Sequence, residues 1–219
     1  MGGMTPVTAA AQYGTRVKLS RALTRQRQLR TEIRNQPRWS TKGRSRQDAA
    51  LLRGDLREHL AALRAAGTLL DTIDVLAAFG IRAELTARGW DRTWEPVPAE
   101  AVEWGRWPGS PDTGTPERIP LRLPSELATQ VQAACWWTSA AAIRDLRDWR
   151  DRHPDLLLGV RPDEEPLVEY RELSRRVTTT GVIWRAGIKT GILAADPTAY
   201  DPMEAEADRA SGDAGISAS

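Results

Sequence analysis

RVKLSRALTRQRQLRTEIRNQPRWSTKGRSRQDAALLR, residues 16–53, decides how the first part of this chain is read. Leu19, Leu23, Leu29 and Ile33 recur at helical spacing with no Gly or Pro between them, so a helix is expected over 16–34. Asn35-Gln36-Pro37 ends it, because the residue before a proline avoids the α region. A basic loop, NQPRWSTKGRSRQ, follows over 35–47. A second helix is expected over 48–66, where Leu52, Leu56, Leu60 and Leu63 form an apolar seam and Gly67 supplies a stop. Two helices joined in this way predict an antiparallel hairpin over 15–67.

The same stretch is electrically one-sided. It holds twelve cations, from Arg16 to Arg53, and only Glu32 and Asp48 as acids, a sum of +10 in a chain whose total is +2. The remainder therefore sums to −8. A GC-rich genome favours Arg over Lys without selection, but codon usage does not segregate acids from bases. Such a block points to a polyanionic partner. Arg25, Arg30 and Arg34 on the first helix, with Arg38, Lys42, Arg44 and Arg46 around the loop, are the candidate phosphate contacts. Trp39, in the loop, is placed to stack on an unpaired base. Two other readings stay open: a solvated cationic face in which Trp39 covers the end of the hairpin, and a basic arm for an acidic protein partner.

Moving outward, residues 1–14 are small and polar, and disorder is expected there. Over 68–107 a mixed segment is expected: a short helix ending at Gly80, a half-buried strand over 81–88 where Ile81, Ala83, Leu85 and Ala87 alternate with polar residues, then Trp90, Trp94, Trp104 and Trp107 among prolines. Residues 108–117, PGSPDTGTPE, read as a linker. A last helix is expected within 154–195 and an acidic, disordered tail over 196–219. The fold class expected is mainly α.

Residues 118–152 read RIPLRLPSELATQVQAACWWTSAAAIRDLRDWRDR. Ile119, Leu121 and Leu123 alternate with Arg118, Pro120 and Arg122, as in a two-faced strand. Pro124-Ser125-Glu126 opens a helix over 125–136, Thr138-Ser139 reads as the cap of another over 140–152, and Ile143-Arg144 lies in the second. This arrangement resembles the ribbon-helix-helix family of DNA-binding domains. The resemblance implies that the strand pairs with its twin in a homodimer, that Arg118 and Arg122 face base edges in the major groove, and that amides near Thr138 and Ser139 hold a phosphate. It further implies non-enzymatic DNA binding, as by a transcriptional regulator or relaxosome accessory of a mobile element. The segment departs from the family in Pro120, in the bulky Trp136-Trp137 at the expected turn, and in its internal position. An ordinary helical pair preceded by a strand is the alternative.

Catalysis finds little footing. His59 and His153 are distant in sequence, and Cys135 sits among Ala134 and Trp136 as a core residue would. One Cys and two His exclude a Cys/His structural zinc site within one chain. Gly187-Ile188-Lys189-Thr190-Gly191 lacks the upstream glycine of a P-loop. No cofactor or metal is expected. The lone cysteine, the missing secretory signal and the absence of a long apolar run imply a cytoplasmic protein without a membrane span. DNA is the favoured partner. The rivals are RNA or single-strand binding through the hairpin, and an adaptor role.

Overall fold

The computed structural model describes residues 3–99, 116–154 and 164–200. It is mainly helical, as the periodicity predicts, with one two-stranded sheet. The chain divides into two units, each made of two separate stretches: Gly14–Ile81 with Gly187–Ser219, and Met1–Tyr13 with Arg82–Ala186. We call them the hairpin unit and the ribbon unit.

In the hairpin unit, α1 spans Thr15–Arg34 and α2 spans Arg46–Ala65, with a 3-10 turn at Pro37–Trp39 between them. Ser45 caps α2: its Oγ accepts from the Asp48 amide at 3.1 Å and donates to Asp48 Oδ2 at 2.7 Å. The helix ends in a Schellman motif. Gly67 adopts φ 71°, Thr68 N donates to Leu63 O at 2.9 Å and Gly67 N to Arg64 O at 3.1 Å. Between the helices Ile33, Leu60 and Leu69 are buried, flanked by Leu29, Leu56 and Leu63. Gln26 is buried yet satisfied: its Oε1 accepts from Leu70 N at 2.9 Å and its Nε2 donates to Ala195 O at 3.1 Å.

Helix α3, Ile73–Ala87, runs through Gly80 and takes in the stretch 81–87 expected as a strand. The apparent stop at Gly80 is instead a close helix crossing. A β-carbon on Gly80 would collide with Gly187 O and stand 2.6 Å from Gly191 N. One on Gly187 would stand 2.8 Å from Ile81 Cα. The Gly187–Gly191 pair, four residues apart, is thus a packing notch for α3 and not a phosphate loop.

In the ribbon unit, β1 is Met4–Ala11 and β2 is Glu117–Pro124, antiparallel, with Val7 opposite Leu121 and Ala9 opposite Ile119. Two expectations fall here. Most of the segment expected to be disordered is a strand, and β2 finds its partner within its own chain, not in a twin. Ala9, Ala11, Ile119, Leu121 and Leu123 are buried on one face, so small alanines under a shared face, not bulky ones, hold β1 in place. Ser125 N donates to Gly3 O at 2.9 Å and closes the end of the ribbon.

The next helix, α4, is continuous over Ser125–Arg152, so the turn expected at 137–139 does not form. The hydroxyls that suggested a cap are used otherwise. Thr138 Oγ1 donates back to Ala134 O at 2.7 Å, within the helix, and Ser139 Oγ accepts from Thr178 N at 2.9 Å. Trp136, Ile143, Leu146 and Trp149 pack with Leu173 and Val177. The single C-terminal helix expected over 154–195 is two: α5, Glu164–Arg175, and α6, Thr180–Ala195, interrupted where the run of threonines from Thr178 weakens the period. The expected linker at 108–117, all but its last two residues, lies outside the described residues, as do Trp104, Trp107 and the tail beyond 200.

Candidate nucleic-acid interface

The hairpin places its cations in three environments. Arg21 and Arg25 are held by Asp196, at 3.1 and 2.9 Å, and Arg21 Nη2 also donates to Thr198 Oγ1 at 2.8 Å. Lys18 lies over the Tyr200 ring at 4.2 Å. Asp196, expected at the start of a disordered tail, is instead buried against α1. Burial opposes its ionisation. The Thr198 hydrogen bonds and the Arg21 and Arg25 charges outweigh that and hold its carboxyl below the usual carboxylate range.

Asp71 organises the second environment. Its side chain is fully buried. Arg64 forms a two-pronged pair with it, Nε to Oδ1 at 2.8 Å and Nη2 to Oδ2 at 2.8 Å, and Arg30 Nη1 adds a contact at 3.0 Å. Burial again opposes the charge, but the hydrogen bond and charge of Arg64, then those of Arg30, leave the carboxyl depressed. One carboxylate thereby ties α1 to α2 and fixes two guanidiniums.

The third environment is a groove of about 930 Å³ between α1 and α2. Its floor is Ala50, Leu56 and Leu60, and its walls carry Arg30, Arg34, Arg46, Arg53, Arg57 and Arg64. The four on α2 are spaced 7, 4 and 7 residues apart, which keeps them on one line of a 3.6-residue helix over about 27 Å. Arg53 Nε donates to Ala49 O at 2.8 Å, which pins its guanidinium to the helix beside the groove. Among the described residues, Arg34, Arg46, Arg53 and Arg57 have no carboxylate partner. A planar guanidinium fork matches a phosphate in shape and charge, and the apolar floor lowers the dielectric around it.

The loop residues lie in and just after the 3-10 turn that joins the two helices. Trp39 is half-buried: its ring lies 5.4 Å from that of His59, its Nε1 is buried without a partner, and the Arg38 guanidinium stands 4.9 Å from its ring. Its ring packs against His59 and Arg38 at the end of the hairpin. Arg38 also bonds to Gln36 Oε1 at 2.9 Å, and Arg44 to Ser40 O at 3.0 Å, so both are directed by the turn. Lys42 is exposed beside them. In the ribbon unit, Arg118 and Arg122 do lie on the exposed face of β2, opposite Ala10 and Pro6. Thr138 and Ser139 lie inside α4, where the backbone amides are used by the helix, so they form no phosphate-holding helix start.

Arg53, Arg57, Arg64, Asp71 and Asp196 were not among the site residues expected from sequence. The spacing of Arg46, Arg53, Arg57 and Arg64 was the signal for the arginine line. The remaining chemistry is sparse. Among the described residues no group of His, Cys, Asp and Glu is arranged to hold a metal, and no helix is long and apolar enough to cross a membrane. Burial pushes the Cys135 thiol up to about 12, against a weaker opposing pull from Arg88, so it is a packing residue and not a nucleophile. No protein-family model matches the chain, and no curated protein and no solved structure is significantly similar to it.

Proposed function

We propose that this is a non-enzymatic nucleic-acid-binding protein, with DNA the favoured ligand, that grips phosphates in the arginine groove of its helical hairpin. One observation carries the reading. Arg34, Arg46, Arg53 and Arg57 stand on the walls of one groove without a carboxylate partner among the described residues, while nearby arginines are held by Asp71 and Asp196. Had the block served only internal pairing, these four would be expected to have acids too. The ribbon is a second contact in this reading. Its exposed face carries Arg118 and Arg122, and a two-stranded ribbon has the width that the major groove admits. Since β1 completes the ribbon within one chain, this contact needs no second copy.

The test is fluorescence anisotropy with labelled duplex DNA, single-stranded DNA and RNA, at 50 mM salt and above. Binding that weakens steeply with salt, and that is lost in an Arg53→Glu/Arg57→Glu chain of unchanged helicity, supports the reading. If no nucleic acid binds at 50 mM salt, or if the variant binds as well as the wild type, the reading fails. Co-purification of an acidic protein that competes for the same arginines would favour the adaptor reading.

A further inference from the structure

Helix α2 carries a second exposed line that phosphate binding leaves unused. Asp48, Leu51, Asp55, Glu58 and Ala62 follow one another at steps of three, four, three and four, and all five are exposed. At 3.6 residues per turn, this line stands nearly half a turn round α2 from Arg46, Arg53, Arg57 and Arg64. The core-facing residues Ala49, Leu56 and Leu60 run between the two lines. The hairpin therefore presents arginines on one face and carboxylates on the other.

Asp48 is engaged with Ser45 at the helix start. Asp55 and Glu58 pair with no cation among the described residues, although they are neighbours on one helix face and repel each other. Arg38, at the border of the line, is turned to Gln36 Oε1 at 2.9 Å and to His59 Nε2 at 3.3 Å. The face keeps a negative balance of two with Arg38 counted. Leu51 stands among these carboxylates, 63% exposed. A lone exposed leucine is ordinary. This one lies on a line with the three-four spacing by which helices pack on one another.

The two faces complement each other. One has carboxylates around a leucine, the other guanidiniums around a floor of Ala50, Leu56 and Leu60. Asp48, Asp55 and Glu58 are separated along the helix by about 10.5 and 4.5 Å, and Arg46, Arg53 and Arg57 by about 10.5 and 6 Å, so three pairs fall in register to within about 1.5 Å. We propose that a second copy of this chain seats its acidic α2 face in the arginine groove, with Leu51 on the apolar floor and Asp55 and Glu58 paired to Arg53 and Arg57. The contacting faces differ, so the contact is heterologous and propagates into open chains of molecules. A second copy and a nucleic acid need the same arginines, so each excludes the other from the groove. The self-contact stands on the shape and charge of the two faces and does not depend on the phosphate-binding reading.

The experiment is sedimentation velocity of the full chain at 50 mM salt, over about 5 to 200 µM protein, with anisotropy of a labelled duplex run on the same samples. The wild type is expected to grow in mean mass with concentration, past twice that of one chain, and to fall back to single chains at high salt. Asp55→Lys/Glu58→Lys and Arg53→Glu/Arg57→Glu chains should each assemble at least tenfold more weakly. Leu51→Gln, which alters no charge, should weaken assembly as well. A chain with all four charge changes has the net charge of the wild type and opposite signs on both faces, so it should assemble again. Circular dichroism shows whether helicity is kept. A wild type that stays single at every concentration overturns this inference, as does a Leu51→Gln chain that assembles like wild type or a fourfold variant of full helicity that stays single. In those cases duplex binding by the wild type leaves the phosphate groove standing. Assembly as expected with no binding of nucleic acid would remove the phosphate-binding reading and keep the self-contact.

Discussion

Salt gives the sharpest quantitative handle on the arginine groove. Four of its guanidiniums have no carboxylate partner among the described residues, and Arg30 with Arg64 contribute one net charge after Asp71 is counted. If the groove binds nucleic acid as proposed, it would neutralise four to five phosphates. Each phosphate neutralised releases condensed counterion, so log K against log salt should fall with a slope of about −3.6 to −4.5. Between 50 and 200 mM salt that is a loss of about 150- to 500-fold in affinity. Changing Arg53 and Arg57 to Ala removes two contacts, which should bring the slope to about −1.8 to −2.7 and the loss to about 12- to 40-fold. The assay is anisotropy of a labelled duplex at five salt concentrations, with circular dichroism to show that both chains are equally helical. Two results would refute the reasoning. A wild-type slope shallower than about −2 would mean that the groove holds too few phosphates. An unchanged slope in the double variant would mean that binding happens elsewhere.

Asp71→Ala should destabilise the protein by about 2–3 kcal/mol: breaking a buried pair costs about 3–5, reduced here because Arg30 and Arg64 stay about one-third exposed and can be partly solvated. Denaturant titration measures it, and a loss under 1 kcal/mol would mean that the carboxylate does not tie the helices. Asp71 and Asp196 both titrate below the ordinary value of 3.8, so their stabilisation is complete above that value and is lost as pH falls through the depressed range. Thermal melting should be insensitive to these groups from pH 7 to about 5 and drop below about 4, less steeply in the Asp71→Ala chain. Gly80→Ala, which in an open helix would gain about 1 kcal/mol, should instead cost about 1–3 kcal/mol, because the new methyl meets Gly187 O. A stabilised Gly80→Ala chain would show that the crossing is looser than described.

The hairpin could be read from sequence because it is local. Its period, the Ser45 cap and the Gly67 stop act within a few residues of the structure they specify. The outward placement of Arg118 and Arg122 followed from simple alternation in the same way. What sequence reading missed depends on distant partners. The strand β1 has only small inward residues, and nothing local says that 117–124 will cover it. Gly80 ends a helix by local rules, yet here it serves a crossing visible only beside Gly187 and Gly191. Thr138 and Ser139 look like a cap until the Thr178 amide arrives to use one of them. In the candidate site, counting charge by window located the cations but not their roles. Asp71 and Asp196 lie outside the basic block and decide which arginines are spoken for. The line through Arg46, Arg53, Arg57 and Arg64 crosses the edge of that window, which is why Arg57 and Arg64 went unnoticed.

Pairing β1 with β2 has a consequence for how the molecule is made. The two strands are separated by more than a hundred residues, from Ala11 to Glu117. On a ribosome adding about 5–20 residues per second, the earlier strand would wait on the order of 6–20 s for its mate. Throughout that interval its backbone donors and acceptors face water or any other extended segment nearby. Its inward residues are small, Val7, Ala9 and Ala11, and Pro6 interrupts its donors, so it makes a poor template for a stranger. The modest chemistry that hid this strand from sequence reading also protects the nascent chain until the ribbon closes.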